Sequence, residues 1–190
     1  MRHPHLLPAL ALLLAAGSAA AHPGHDSAGF VSGFAHPLGG LDHFLAMLAV
    51  GLYAARQAGA ARWVLPAGFM LTMLFGAVLV ARVPLPGVEA GIAGSVLVLG
   101  LLICSLVRLP LMLTLPLVAA FALCHGYAHG AEMGTGSLLT YAAGFVLATG
   151  LLHGAGYLLG RWLPESRWAS LLRRAVGGFI AGAGLVMLGG

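Results

Sequence analysis

The chain has 190 residues, 60% of them apolar and 7% charged, with a formal net charge of +4 and a mean hydropathy of +0.98. A soluble domain carries about a quarter charged residues, so this chain cannot clothe a water-facing surface, and disorder, coiled coil and nucleic-acid binding are excluded with it. The pI of 9.7 rests on nine arginines and no lysine, spread singly, a pattern of membrane-topology markers rather than a nucleic-acid footprint.

Residues 1–21 read as a secretory signal. Arg2 supplies the charge, Leu6 to Ala16 is an apolar run of 11 residues, and Ala19-Ala20-Ala21 offers a small-x-small cleavage site before His22. Such a run is too short to span a bilayer. The domain division expected is therefore a signal peptide over 1–21 and a membrane domain over 22–190. A short polar head, His22 to Gly33, precedes six apolar segments near 34–55, 63–81, 88–107, 109–128, 136–160 and 170–189. About 20 residues at 1.5 Å rise cross a ~30 Å hydrocarbon core, and helices satisfy their own backbone in lipid. The fold class expected is all-α, a polytopic bundle of six transmembrane helices. Cys104 and Cys124 both lie in apolar runs, which speaks against a disulfide framework.

Arginine counting orients the bundle. With residue 22 outside, six spans put Arg56, Arg62, Arg108, Arg161, Arg167, Arg173 and Arg174 on the cytoplasmic side and only Arg82 on the other. That bias obeys the positive-inside rule. The localisation expected is the inner membrane, multi-pass, with both mature termini periplasmic. The 29 glycines cost helix propensity but let helices approach closely in lipid. Gly150/Gly154, Gly156/Gly160 and Gly178/Gly182 have the x-x-x spacing, so segments five and six are expected to pack tightly. No clear internal repeat is visible.

Nine histidines against five acids are the anomaly of this lipid-soluble chain. The first span opens His36-Pro37-Leu38-Gly39-Gly40-Leu41-Asp42-His43. Pro37 fits a first helical turn. On a regular helix His36 and His43 share a face and Asp42 points about 100° away, within reach of a common site if Gly39-Gly40 loosens the turn. Met47 continues the His43 stripe. The fourth span ends Cys124-His125-Gly126-Tyr127-Ala128-His129-Gly130-Ala131-Glu132. There His125, His129 and Glu132 fall on one stripe. By the arginine topology the start of span one and the end of span four share one membrane depth. Four imidazoles and two carboxylates meet there with no arginine among them. A carboxylate in a span costs about 2.5–3.5 kcal/mol on insertion scales and usually marks a function. Imidazole with carboxylate and no cationic partner suits a borderline divalent cation such as Ni²⁺ or Co²⁺; polar pairing between helices is the plainer alternative. His153, deep in span five, is a hydrogen-bonded packing residue or a second stop on a path. His22 and His25 with the new amino terminus capture metal or form a solvated tail. Cys124 and Met47 read as packing, Glu89 and Asp26 as solvated interface groups.

On these motifs the chain resembles the HupE/UreJ family, membrane proteins encoded near hydrogenase and urease systems and associated with nickel, sometimes cobalt, uptake. The resemblance covers a cleaved signal, the start His22-Pro23-Gly24-His25, the motif from His36-Pro37 to Asp42-His43, and the motif from His125 to Glu132. It implies His36, Asp42, His43, His125, His129 and Glu132 as the metal-related positions. The family often has Phe where Cys124 stands here, a tolerated change or an added soft ligand. The larger nickel/cobalt permeases carry a His-x4-Asp-His signature; five residues separate His36 from Asp42 here, so their assignments are not transferred.

The function expected is a divalent-metal permease for nickel or cobalt, feeding hydrogenase or urease maturation by that resemblance. It is not expected to be an enzyme or to hold a resident cofactor; Ni²⁺ or Co²⁺ is cargo. No nucleotide-binding Gly-rich loop is present, so transport is facilitated or ion-coupled. Partners are the metal ion, the lipid bilayer and, by resemblance, maturation proteins, with no nucleic acid; a homo-oligomer is left open. The rivals are an intramembrane metal hydrolase with Glu132 or Asp42 as base, weakened by the lack of His-Glu-x-x-His, and a metal sensor or storage protein, which would bind without flux.

Overall fold

The computed structural model describes residues 29–132 and 137–190, so the expected signal segment, with His22, His25 and Asp26, lies outside the described residues. Within them seven helices occur and no strand: α1 (Phe30–Gly39), α2 (Leu41–Ala54), α3 (Ala61–Leu79), α4 (Val88–Cys104), α5 (Leu111–Glu132), α6 (Leu138–Trp162) and α7 (Arg167–Gly189). Four stretches are long and apolar enough to cross a membrane: Ala61–Leu79, Leu111–Ala131, Leu139–Trp162 and Arg167–Gly189.

The other two expected segments differ from the sequence reading. The first is not one continuous helix: α1 and α2 meet at a bend of 86°. Gly40 is extended there (φ −97°, ψ 121°), closing α1 and opening α2 at once. Two adjacent glycines are poor helix formers. Pro37 sits inside α1 near its end, not in a first turn, and removes a backbone donor just before the break. Asp42 then stands in the first turn of α2, where a negative charge faces the positive end of the helix. The third segment is short, 17 residues, because the backbone leaves the helix at Ser105 and Leu106 turns left-handed (φ 58°). The helix containing the His125 motif runs one turn further than expected, to Glu132.

Glycines set the packing. A methyl at Gly126 would strike the Met73 carbonyl, at Gly76 the Leu123 carbonyl, and at Gly130 the Ala77 backbone, so α3 and α5 lie backbone against backbone and run parallel. Gly51, Gly156 and Gly160 bring α2 and α6 together, also parallel. Gly100 of α4 meets Gly177 and Ala181 of α7, and Gly184 meets Leu97, an antiparallel pair. The N-terminal part of α6 is covered by α1, through Gly33 on Tyr141 and Gly144 on Phe30. Of the three spaced pairs singled out in the sequence, Gly156/Gly160 makes such a contact; Gly154 and Gly182 face open space, and Gly150 and Gly178 make ordinary contacts. The tight positions on α7 are Gly177 and Gly184 instead.

The bundle is apolar on its perimeter as well as within. Leu71, Phe75, Val78, Leu139, Leu151, Leu158, Phe179 and Val186 are exposed, while His125, His129, His153, Ser95 and Thr149 are buried. A perimeter of that kind is covered by lipid tails in a membrane protein. Loops 55–60, 105–110 and 163–166 gather at one end; α1 and the end of α5 lie at the other. Two tyrosines fasten these ends: Leu109 N–H donates to the Tyr53 hydroxyl at 3.0 Å, and Leu85 N–H to the Tyr127 hydroxyl at 3.2 Å.

Candidate metal site

The bend at Gly40 folds α1 across the end of the bundle and drops the start of α2 beside α5. His43, His125 and His129 are buried there, each offering a ring nitrogen within 4.8 Å of the others. His43 lies against both partners, with ring centroids 4.8 Å from His125 and 4.3 Å from His129. Parallel packing of α3 on α5 through Gly126 and Gly130 leaves the other face of α5 to carry the two imidazoles. His36 caps the group, 4.6 Å from His129 and 6.2 Å from His43. The proximity of His36 to His43 arises from the helix break and not from a shared face of one regular helix.

Hydrogen bonds orient two of the rings. Asp42 Oδ1 accepts from the His43 backbone N–H and from His43 Nδ1–H, each at 2.7 Å. That leaves the buried Nε2 of His43, which has no hydrogen-bond partner in the protein, with the lone pair. Ser95 Oγ donates to the Ile92 carbonyl at 2.6 Å and so accepts from His125 Nε2–H at 2.9 Å. The buried Nδ1 of His125, likewise unpartnered, keeps its lone pair. An imidazole held at one nitrogen by a carboxylate or oxygen acceptor, with the other free to bind, is the usual dress of a metal ligand. The site is walled by aromatics: Phe145 lies 4.0 Å from His129 and Phe69 5.6 Å from His125, centroid to centroid.

The predicted residues therefore divide. His43, His125 and His129 converge, and His36 adjoins them. Asp42 is beside the group, with one oxygen committed to His43. Glu132 closes α5, but its side chain is outside the described residues. Cys124 is turned toward α4, where a methyl on Gly91 would strike its sulfur, and is not in the cluster. The Met47 sulfur accepts from the Thr149 hydroxyl at 3.3 Å. Sequence reasoning missed Ser95, although it is the single hydroxyl in α4 and a lone hydroxyl in an apolar helix is itself a signal. Glu89, expected to be a solvated interface group, is exposed and, with His36, Asp42 and His43, lines an open cleft of ≈ 670 Å³.

His153 is a separate buried imidazole. Its Nδ1–H donates to the Met47 carbonyl at 2.7 Å, and its buried Nε2 has no partner in the protein. Phe69 stands between it and the cluster, its ring centroid 5.1 Å from His153 and in contact with His125 as above.

An all-helical bundle, apolar outside and gathering imidazoles within, is a membrane protein with a buried imidazole cluster. The family model described as HupE / UreJ protein matches residues 10–187, and the chain belongs to that family. It is 39% identical over 192 residues to Protein HupE of Rhizobium leguminosarum bv. viciae, spanning 100% of both chains. No solved structure matches it.

Proposed function

We propose that this chain is a permease that imports Ni²⁺ or Co²⁺ across the inner membrane for hydrogenase or urease maturation. The observation that carries the reading is the triad His43, His125 and His129, with ligand nitrogens within 4.8 Å of one another, of which His43 lines an open cleft. Two of its rings are already held in binding orientation by Asp42 and Ser95. Imidazole ligands suit nickel and cobalt, and the family membership and the full-length likeness to a HupE protein agree with such cargo.

In this reading the mature chain starts at His22 and crosses six times, the bent α1–α2 pair and the short α4 each counting as a crossing. The packing senses support that count. Spans of like parity, α2 with α6 and α3 with α5, run parallel, and α4 runs antiparallel to α7. The cleft then opens to the periplasm. An ion sheds water in the cleft, where Asp42, His36 and Glu89 supply charge and donors, and is taken by the triad. His153 is the next station inward: on α6 it lies eight residues beyond Phe145, which packs on His129, and eight residues rise about 12 Å. Phe69 separates the two stations. The six predicted positions keep metal-related roles, with Asp42 acting first through His43.

The deciding experiment is ⁶³Ni and ⁵⁷Co uptake into proteoliposomes of the purified chain, with and without an imposed ion gradient. Saturable uptake that His129→Ala abolishes supports the permease. Tight binding with no flux would make the protein a sensor or store.

A further inference from the structure

At the end opposite the histidines a cavity of ≈ 540 Å³ opens among three stretches of the chain distant in sequence, lined by Arg56, Arg108, Arg161 and Arg173 with Glu165 as the acid. The single ion pair is loose, Arg108 Nη2 to Glu165 Oε1 at 3.9 Å, with the Glu165 side chain 91% exposed; pairs of that kind neutralise little. Four guanidiniums against one carboxylate leave the cavity strongly positive. Burial, with Arg108 and Arg173 alongside, pushes Arg56 below its ordinary pKa. Arg173 donates from Nη2 to the Leu163 carbonyl at 2.5 Å. Three other buried donors at the cavity, Arg56 Nη1, Arg173 Nε and Gln57 Nε2, have no acceptor in the protein.

The positive-inside rule requires arginines on this side of the membrane. It does not require them to converge, or to turn buried N–H groups inward, since a topology marker can snorkel to water. Buried donors are nearly always satisfied, and converging guanidiniums match the forked acceptors of a phosphate. Depth identifies the source. All three tryptophans lie at this end and face outward, Trp63 at the start of α3 (60% exposed), Trp162 and Trp168 on either side of the α6–α7 turn (88% and 82%). Tryptophans so placed mark headgroup level. The cavity also adjoins a narrow apolar crevice of Leu52, Ile103 and Val176 that Arg56 and Arg173 border.

We infer that this arginine cavity is a binding site for the phosphate of an anionic phospholipid headgroup in the cytoplasmic leaflet. Basic pockets between helices on that side are suited to such headgroups. The site is separate from the metal triad, and its test does not depend on transport.

The full chain, purified in neutral detergent and stripped of lipid, is unfolded thermally with phosphatidylglycerol, with phosphatidylcholine, or with millimolar inorganic phosphate. Phosphatidylglycerol should raise the midpoint by about 3 °C or more over phosphatidylcholine, as binding to the folded state alone requires, and phosphate should not. Arg56→Gln should remove at least half of that gain. Arg108→Gln, at an exposed side chain, does the same should the first variant fold poorly. Equal midpoints in the two lipids, or a full gain in both variants, would overturn the site. A gain produced by inorganic phosphate alone would overturn the lipid assignment.

Discussion

Asp42 has a backbone job and a chemical job in one carboxylate. By accepting from the His43 backbone N–H it steadies the first turn of α2, and by accepting from the ring Nδ1–H it aims the other nitrogen at His125 and His129. Ser95 does the second job for His125. Changes to partners of this kind typically cost about 10–100-fold in metal affinity. Asp42→Ala should therefore weaken Ni²⁺ binding by about that factor, and Ser95→Ala by the lower end of it, with the protein still folded; equilibrium Ni²⁺ binding to the purified variants measures both. Unchanged affinity in both would mean that ring orientation is not what they supply. His153 is tested by a substitution that keeps its hydrogen bond. The amide of Asn can donate to the Met47 carbonyl as Nδ1–H does, but offers no counterpart to Nε2. His153→Asn should bind Ni²⁺ at the triad with unchanged affinity and show a clearly lower initial uptake rate. Uptake at the unsubstituted rate would reduce His153 to packing.

Helix pairs in this chain are held by backbone approach. In lipid the tails are as apolar as leucine, so close van der Waals packing and hydrogen bonds take over from the hydrophobic effect. That makes glycines unequal. Gly126 lies on the Met73 backbone, between the two histidines of α5, whereas Gly154 and Gly182 have nothing within 4 Å of an added methyl. Gly126→Ala should push α5 off α3 and cost about 1–3 kcal/mol, the usual range for overpacking. Gly182→Ala should be neutral or gain up to about 1 kcal/mol from helix propensity. Thermal unfolding in detergent compares the two, and a Gly126→Ala protein as stable as the parent would contradict the packing described. The variant should also bind Ni²⁺ more weakly, because the same shift moves His125 and His129.

At the scale of the whole molecule the two ends are chemically opposite, imidazoles and a cleft at one, arginines and tryptophans at the other. If α1 and α2 together make one crossing, loop 57–60 and the C-terminus face opposite sides. Alkaline phosphatase fused after Gly190 should then be active in the periplasm, and the same enzyme fused in the α2–α3 loop inactive. The purified protein should have an intact mass lacking residues 1–21; a mass that retains them, or an inactive C-terminal fusion, would rule out the six-crossing arrangement.

Hydropathy, arginine placement and the i, i+4 spacing of His125 and His129 are local quantities, and from them alone came the all-helical class, the segment boundaries to within a turn or so, and the gathering of histidines at one end. The bend could not be read that way. Gly39-Gly40 permits a break, but its 86° angle is set by α1 seating on the start of α6 through Gly33 and Gly144. The ligand geometry likewise depends on partners remote in sequence: Ser95 and His125 are 30 positions apart, His153 and Met47 106. Nor does any spacing in the chain foretell that arginines of three distant stretches surround one cavity. Composition and period say which residues enter the membrane interior together; only packing decides which ring nitrogen of His43 and of His125 is left open.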